Sequence, residues 1–310
     1  MIVCVAGNPS IDKLFEVSEI VVGHIHRPER MIALPGGKGI HVAQVATVLG
    51  ASAVVTGLLA GHTGRWVAQA LAAEGVTGKW VWGAGETRSS LSVADSATGR
   101  LTEFYEDGTA VSGEEWGAVR AIVDSLLPTA DWLALAGSLP DGATGYAQLI
   151  ASAPAHDVRC AVDSRGHALA EAVDAGADLV KINLQEAQEL LGAEFDGPAE
   201  AIAAARAVRE RAGGDGHAVA VTLGEDGMVG VDFSGGGWRG TLEARGRYPV
   251  GCGDSFLAGL LVGFEQQSSW EGAAALALGT AAANAELPGA GRLDPARARE
   301  LAARAVVNAV

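Results

Sequence analysis

Positive charge is scarce in this chain of 310 residues: 22 Lys and Arg stand against 37 Asp and Glu, a formal net charge of −15. A chain this acidic repels polyphosphate backbones, so no nucleic acid partner is expected, although small anions can still bind in local basic pockets. Cysteine is almost missing. Cys4, Cys160 and Cys252 are far apart, odd in number and without CxxC or zinc spacing. That excludes a disulfide framework and points to a reducing, cytoplasmic setting. A long hydrophobic run is also lacking. The longest uncharged small-residue stretch, GAAALALGTAAANA at 272–285, falls short of the ~20 residues a membrane span needs, so it reads as an interior helix. MIVCVAGNPS opens without a basic leader and reads as a first strand.

Apolar residues make up 49% of the chain, enough for a sizeable core, and the 43 glycines follow no collagen period. They belong in turns and close backbone approaches. Short β-rich runs are expected at 2–7, 53–59, 132–137, 160–164, 179–183 and 218–223. Helical runs fall at 39–49, 64–74, 114–126, 143–152, 185–191, 198–212, 253–266 and 270–285. Continuous apolar strands separated by helices imply a parallel sheet covered on both faces, with ligands beyond the carboxyl ends of its strands. Residues 12–34 and 86–111 break the alternation. They read as short half-polar strands, the second around the turn signal ADSATGR, that form a small sheet outside the core. No Pro/Ser-rich linker divides the chain, so 1–310 is read as a single domain.

Four stretches could carry chemistry. In PGGKGIHVAQVATVLGA (35–51), Gly36, Gly37 and Gly39 let backbone N–H groups turn inward at a helix start, where Lys38 adds positive charge. The spacing is not that of a Walker A loop; a glycine turn with a solvated lysine is the alternative. In LVKINLQEAQELLG (179–192), Asn183 and Glu186 have the spacing of a reciprocal helix cap, or of a pair holding Mg²⁺-bound water or phosphate. AVTLGEDGMVGVDF (220–233) reads as a hairpin around Gly224 and Gly227. In GCGDSFLAG (251–259), the amides of Gly251, Cys252 and Gly253 suit an anion at a positive helix end. Asp254 beside them is either an N-cap or an acceptor for the proton of an attacking hydroxyl. No G-x-G-x-x-G follows the first strand, which argues against a dinucleotide oxidoreductase.

Eight segments in order, NPSID (8–12), PGGKGI (35–40), TR (87–88), AGSLP (136–140), VDSRG (162–166), KINLQE (181–186), TLGEDG (222–227) and VGCGDSFLAG (250–259), resemble the phosphofructokinase-B branch of the ribokinase-like carbohydrate kinases. Within it, the similarity is to the 1-phosphofructokinase and tagatose-6-phosphate kinase group. The resemblance implies an α/β doubly wound, mostly parallel sheet flanked by helices, with a small β-sheet lid (about 12–34 and 86–111) through which two chains can pair as a homodimer. It implies ATP and Mg²⁺, with a monovalent cation as a further possibility. It makes Asp254 the catalytic base and Gly251, Cys252 and Gly253 the anion hole. Asp12, Gly37, Lys38, His41, Arg88 and Ser138 become sugar-side positions. Asn183 and Glu186 would organise phosphates and Mg²⁺, Glu186 through water; Thr222, Gly224 and Gly227 would form the nucleotide-side turn, and Asn284 would border adenine.

Three departures from that pattern bear on the acceptor. His41 stands where the family has an asparagine facing the sugar, and Ser90 and Ser92 follow Thr87-Arg88 where relatives carry Asn and often Lys. Glu103, Tyr105, Glu106 and Asp107 occupy the lid region that is basic in phosphosugar kinases. A sugar-phosphate acceptor, held by charge-assisted contacts from Lys38, Arg88, Ser138 and Arg27, is the first expectation. An unphosphorylated sugar, cyclitol, nucleoside or amino sugar is the second. A catalytically idle binding regulator on the same fold is the alternative of another class. Cys252 replaces an alanine, either as a small-residue swap or as a thiol of lowered pKa at a helix N-terminus.

Overall fold

The computed structural model describes all residues, Met1–Val310. Seven parallel strands stand side by side in the order β5 (Thr77–Gly83), β4 (Ala53–Ala60), β1 (Ile2–Ala6), β8 (Trp132–Ala136), β9 (Arg159–Asp163), β10 (Leu179–Asn183) and β11 (Ala218–Thr222). An antiparallel edge, β12 (Met228–Val231), β13 (Gly237–Thr241) and β14 (Val306–Ala309), extends the same sheet. Strand alternation sends Ile2, Cys4 and Ala6 of β1 into one core and Val3 and Val5 into the other. The first core is closed by α1 (Lys38–Val48), α2 (Gly61–Ala73), α8 (Cys252–Glu265), α9 (Trp270–Ala285) and α10 (Pro295–Ala302). The second is closed by α3 (Gly113–Leu126), α4 (Ala147–Ser152), α5 (Gly166–Asp174) and α7 (Gly197–Ala212), beside the shorter α6 (Leu184–Leu191). Burial on both faces is why the parallel strands read as unbroken apolar runs.

A separate four-stranded sheet has the order β3-β2-β6-β7, made of β2 (Ser10–Val17), β3 (Arg30–Gly36), β6 (Arg88–Asp95) and β7 (Leu101–Tyr105). It uses the two stretches that break the βα alternation. β2 lies in its middle, antiparallel to β3 and parallel to β6. Asp95 makes the β6–β7 turn by accepting from the Ala97 and Thr98 amides. The half-polar pattern follows from this placement, because one face of the sheet is left in the open.

Each strand expected from apolar runs is present within a residue or two. The helix expected at 143–152 starts only at Ala147, since Gly142 and Gly145 adopt positive φ and keep the preceding segment irregular. Strands β5, β13 and β14 and helices α5 and α10 are additions to the elements the sequence pattern marks. β5 is a partly exposed edge strand and lacks a buried strand's apolar run. The α5 helix has only nine residues and no capping side chain. No helix is long and apolar enough to cross a membrane.

Candidate active site

Charged side chains converge beyond the carboxyl ends of the parallel strands. α1 can bring its first turn there because Gly39 lies on β1: a Cβ at that position would sit 2.5 Å from Val5 O and 2.6 Å from Ala6 Cα. Its N-cap, Gly37, has φ +106°. Lys38 Nζ then reaches Asp163 Oδ1 at 2.5 Å and lies 3.6 Å from Glu186 Oε1. Asp163, at the end of β9, is fully buried and also accepts from Lys181 Nζ of β10 at 2.7 Å. Burial pushes the Asp163 carboxyl up, but Lys181 and Lys38 outweigh it and hold the group below the usual carboxylate range. Burial likewise opposes the charge on Lys38, and Asp163, Asp254 and Glu186 together keep it cationic.

The second convergence is at α8. Gly251, its N-cap, has φ +81°, and a Cβ there would meet Ala290 at 2.5 Å. Glycine is required on both counts. The Cys252 N–H is spent on Pro249 O at 3.2 Å, closing the turn, while Ser255 N–H begins the helical pattern on Gly251 O. Helix N-termini leave their first N–H groups without intrahelical acceptors; here those of Gly253 and Asp254 remain for an anion. Lys181 Nζ lies 2.6 Å from where a Gly253 Cβ would be, so this amide group is backed by an ammonium. The Asp254 side chain is nearly buried and faces the protein: its Oδ2 is 2.7 Å from His41 Nδ1. His41 Nε2 lies 3.2 Å from Asp12 Oδ2, without hydrogen-bond alignment. Burial lowers the imidazole's proton affinity, yet Asp12 and Asp254 overcome this and raise His41 to about 10.

On the second sheet, Asp12 accepts from Ser10 Oγ at 2.7 Å. Arg88, at the start of β6, donates to Asn8 Oδ1, Asn8 O and Ser90 Oγ. Ser138 follows β8, its carbonyl against Gly7. Neighbouring Gly137, whose carbonyl accepts from Ser164 Oγ and Tyr146 Oη, lies by Lys38.

The sequence matches the pfkB family carbohydrate kinases over residues 3–297. The chain belongs to that family. It is 32% identical over 267 residues to a 1-phosphofructokinase of Rhodobacter capsulatus, covering 84% of this chain and 82% of the relative. It is 31% identical over 266 residues to the ATP-dependent 6-phosphofructokinase isozyme 2 of Escherichia coli strain K12, covering 85% of each. Its fold superposes on the tetrameric inhibited form of phosphofructokinase-2 from Escherichia coli with a TM-score of 0.88, at 28% identity and over 97% of this chain and 98% of that one. The chain is a carbohydrate kinase, a phosphotransferase with a sugar hydroxyl as acceptor.

Within this pfkB kinase, contacts link Asp12, Lys38, His41, Gly253, Asp254 and Glu186 into one cluster. Asn183 and Glu186 form a capping box, each side chain accepting the other's amide at 2.8 Å. The cap leaves Glu186 Oε1 turned towards Lys38. Thr222 pairs in register with Asn183 at the strand ends. Gly224 and Gly227 shape the following turn, and Gly227 backs onto Gly240 O so tightly that a Cβ would overlap it.

Two expected residues behave differently. The Cys252 N–H serves the turn and not an anion hole. Its thiol is raised, chiefly by burial, which the hydrogen bond from Asn284 offsets only in part; of the two readings of Cys252, a small-residue swap or a thiol of lowered pKa at a helix start, the second is not realised. Asn284 is fully buried and committed to protein partners: Nδ2 donates to Val250 O, and Oδ1 accepts from Ser255 Oγ and Gly291 N. It braces the loop in front of α8, leaving no group free to face a base. Asp163 and Lys181 are members of the site that the motifs alone do not single out. A signal is present, because a lysine and an aspartate in otherwise apolar buried strands must be paired.

Proposed function

We propose that this kinase transfers the γ-phosphoryl group of ATP to a hydroxyl of a sugar phosphate, as a 1-phosphofructokinase does, with Asp254 as general base. The observation that carries the mechanism is the position of Asp254: a nearly buried carboxylate at the mouth of α8, next to unpaired helix N–H groups and backed by Lys181. The names of the relatives, 1-phosphofructokinase and 6-phosphofructokinase, support the phosphorylated acceptor.

Asp254 takes the proton of the acceptor hydroxyl as its oxygen bonds to the γ-phosphorus and the bond to the β-phosphate oxygen breaks. The Gly253 and Asp254 amides, with Lys38 and Lys181, stabilise the charge that spreads over the migrating group. Asp12 holds acceptor hydroxyls, while Arg88 and Ser138 border the far end of the acceptor. Glu186 Oε1 fits Mg²⁺, which keeps several waters and takes one or two carboxylates alongside phosphate oxygens; bound there, the ion would neutralise phosphate charge. Asn183 and Thr222 lie towards the nucleotide. A monovalent cation is part of this reading, supported by a solved complex of Escherichia coli phosphofructokinase-2 with potassium.

The small sheet acts as a lid carrying Asp12 and Arg88, and closure over the acceptor excludes water that would otherwise hydrolyse ATP. Its outer side exposes Met31 and Phe104 at 69% and 61%, which suits pairing with a second copy of the chain.

One observation favours a second reading, an unphosphorylated acceptor. Arg88 already donates to Asn8 and Ser90, and the adjoining strand is acidic, with Glu106 accepting from the Ser89 amide at 2.7 Å. An ADP-release assay over paired phosphorylated and free sugars separates the two. Asp254→Asn is expected to lower turnover by ~10²–10⁴-fold, the usual contribution of a general base, while ATP still binds by calorimetry. Near-wild-type turnover in that variant would remove the mechanism.

A further inference from the structure

His41 occupies an unusual position for a side chain beside a sugar site. It is only 4% exposed, so little of the ring is available to a ligand. Its Nδ1 is in hydrogen-bond contact with Asp254 Oδ2 at 2.7 Å, and its Nε2 lies 3.2 Å from Asp12 Oδ2. The ring cannot rotate freely. Gly291 closes over it, and a Cβ there would fall 3.3 Å from His41 Cδ2 and 2.9 Å from Gln44 Oε1. Gly291 is in turn tied to Asn284 Oδ1 at 3.0 Å, and Asn284 also holds Val250 O in front of α8. Ser10 fixes the other carboxylate through Asp12 Oδ1. Three elements, β2, α1 and α8, are thereby joined through one imidazole ring.

We propose that His41 is a positioning residue for phosphoryl transfer: a buried imidazolium clamped between Asp12 and Asp254 that occupies one oxygen of the base and leaves the other to take the acceptor proton. The proposal rests on the reading of Asp254 as the base. The clamp acts in two ways. It fixes the carboxylate plane of Asp254, so the free oxygen is held where the hydroxyl arrives. It also binds the sugar-side carboxylate of the small sheet to the base on the core, so the acceptor meets both in a set relative orientation. A neutral amide at position 41 could make one of these contacts but could not bring two carboxylates together by charge. The charged groups that act on the ring are Asp12 from β2 and Asp254 from α8; the loop over it contributes Gly291, which carries no charge.

The tests are a direct observation of the ring and a pair of variants. In the wild-type protein, ¹⁵N–¹H correlation spectra are expected to show His41 with both ring nitrogens protonated at pH 8 and titrating near 10. In Asp254→Asn the same titration is expected to move down, because one anionic partner is gone. A ring that titrates near 6.5, or does not respond to Asp254→Asn, overturns the clamp whatever the enzyme's activity. For the variants, His41→Leu is expected to lower acceptor-dependent kcat by roughly 10- to 100-fold, the scale of losing a hydrogen bond to a charged group. The KM for ATP should stay within about threefold. His41→Gln should recover part of that loss. The decline of wild-type kcat as pH rises through about 10 should be missing from the His41→Gln profile. Equal kcat in all three proteins, or the same alkaline decline in His41→Gln, overturns the proposal. Thermal melts identify a variant that has simply unfolded, in which case the spectra of the wild-type ring decide. If instead Asp254→Asn keeps full turnover while His41 titrates near 10, the base assignment fails and the ion-pair geometry stands.

Discussion

At the scale of single residues, the site is governed by charges that burial would expel if they were not paired. Lys181 illustrates this. It occupies a strand whose other inward residues are apolar, and it contributes to Asp163 and to the ground behind Gly253. Lys181→Met should lower stability by about 3–5 kcal/mol in urea unfolding, the scale for removing one partner of a buried ion pair; a loss under ~1 kcal/mol would mean that Lys38 alone satisfies Asp163. His41 gives a pH dependence with a definite sign. Its folded-state pKa is raised, so its stabilising contribution is complete below the ordinary histidine value near 6.5. That contribution declines as pH rises and is gone above about 10. The melting-temperature difference between wild type and His41→Gln should therefore be greatest at about pH 6 and shrink towards about pH 10. A difference that grows over that range would contradict a buried imidazolium.

At the scale of elements, placement depends on how closely helices can lie on strands. Helix α1 presents Lys38 and His41 from one turn because Gly39 lets its backbone touch β1. Gly39→Ala would place a methyl group 2.5 Å from Val5 O. The helix must then shift, at a cost of about 1–3 kcal/mol as for other overpacked sites. Turnover should fall with stability, since both side chains move with the helix; normal activity and melting temperature in Gly39→Ala would show that α1 has slack. The α8 start was legible as a glycine-rich turn followed by an acid. Which amides remain available was not legible: only the fold reveals that Cys252 N–H is consumed by Pro249 O. The capping box of Asn183 and Glu186 was legible from spacing alone, because it closes within four residues. The role of Asn284 was not, because its partners at 250, 255 and 291 meet it only after α9 packs on α8.

At the scale of the whole molecule, the two sheets divide the labour. The large sheet supplies Asp163, Lys181 and the seat for both helix starts. The small one supplies Asp12 and Arg88 and leaves an apolar outer side. Pairing of two copies through that side predicts concentration-dependent association in analytical ultracentrifugation, weakened by Phe104→Glu. A chain that sediments as a monomer at every concentration would remove the pairing.

Periodicity and turn chemistry in the sequence were enough to establish a parallel α/β sheet, the position of the small sheet and the stretches that begin α1 and α8. These features arise from local spacing, and local spacing is written in the chain. Tertiary packing alone decided that Lys38 and Lys181 share Asp163, that Asn284 is a brace, and that His41 stands between Asp12 and Asp254. Each depends on side chains far apart in the chain, whose meeting is set by helix-on-sheet contact and by the requirement that buried charge find a partner.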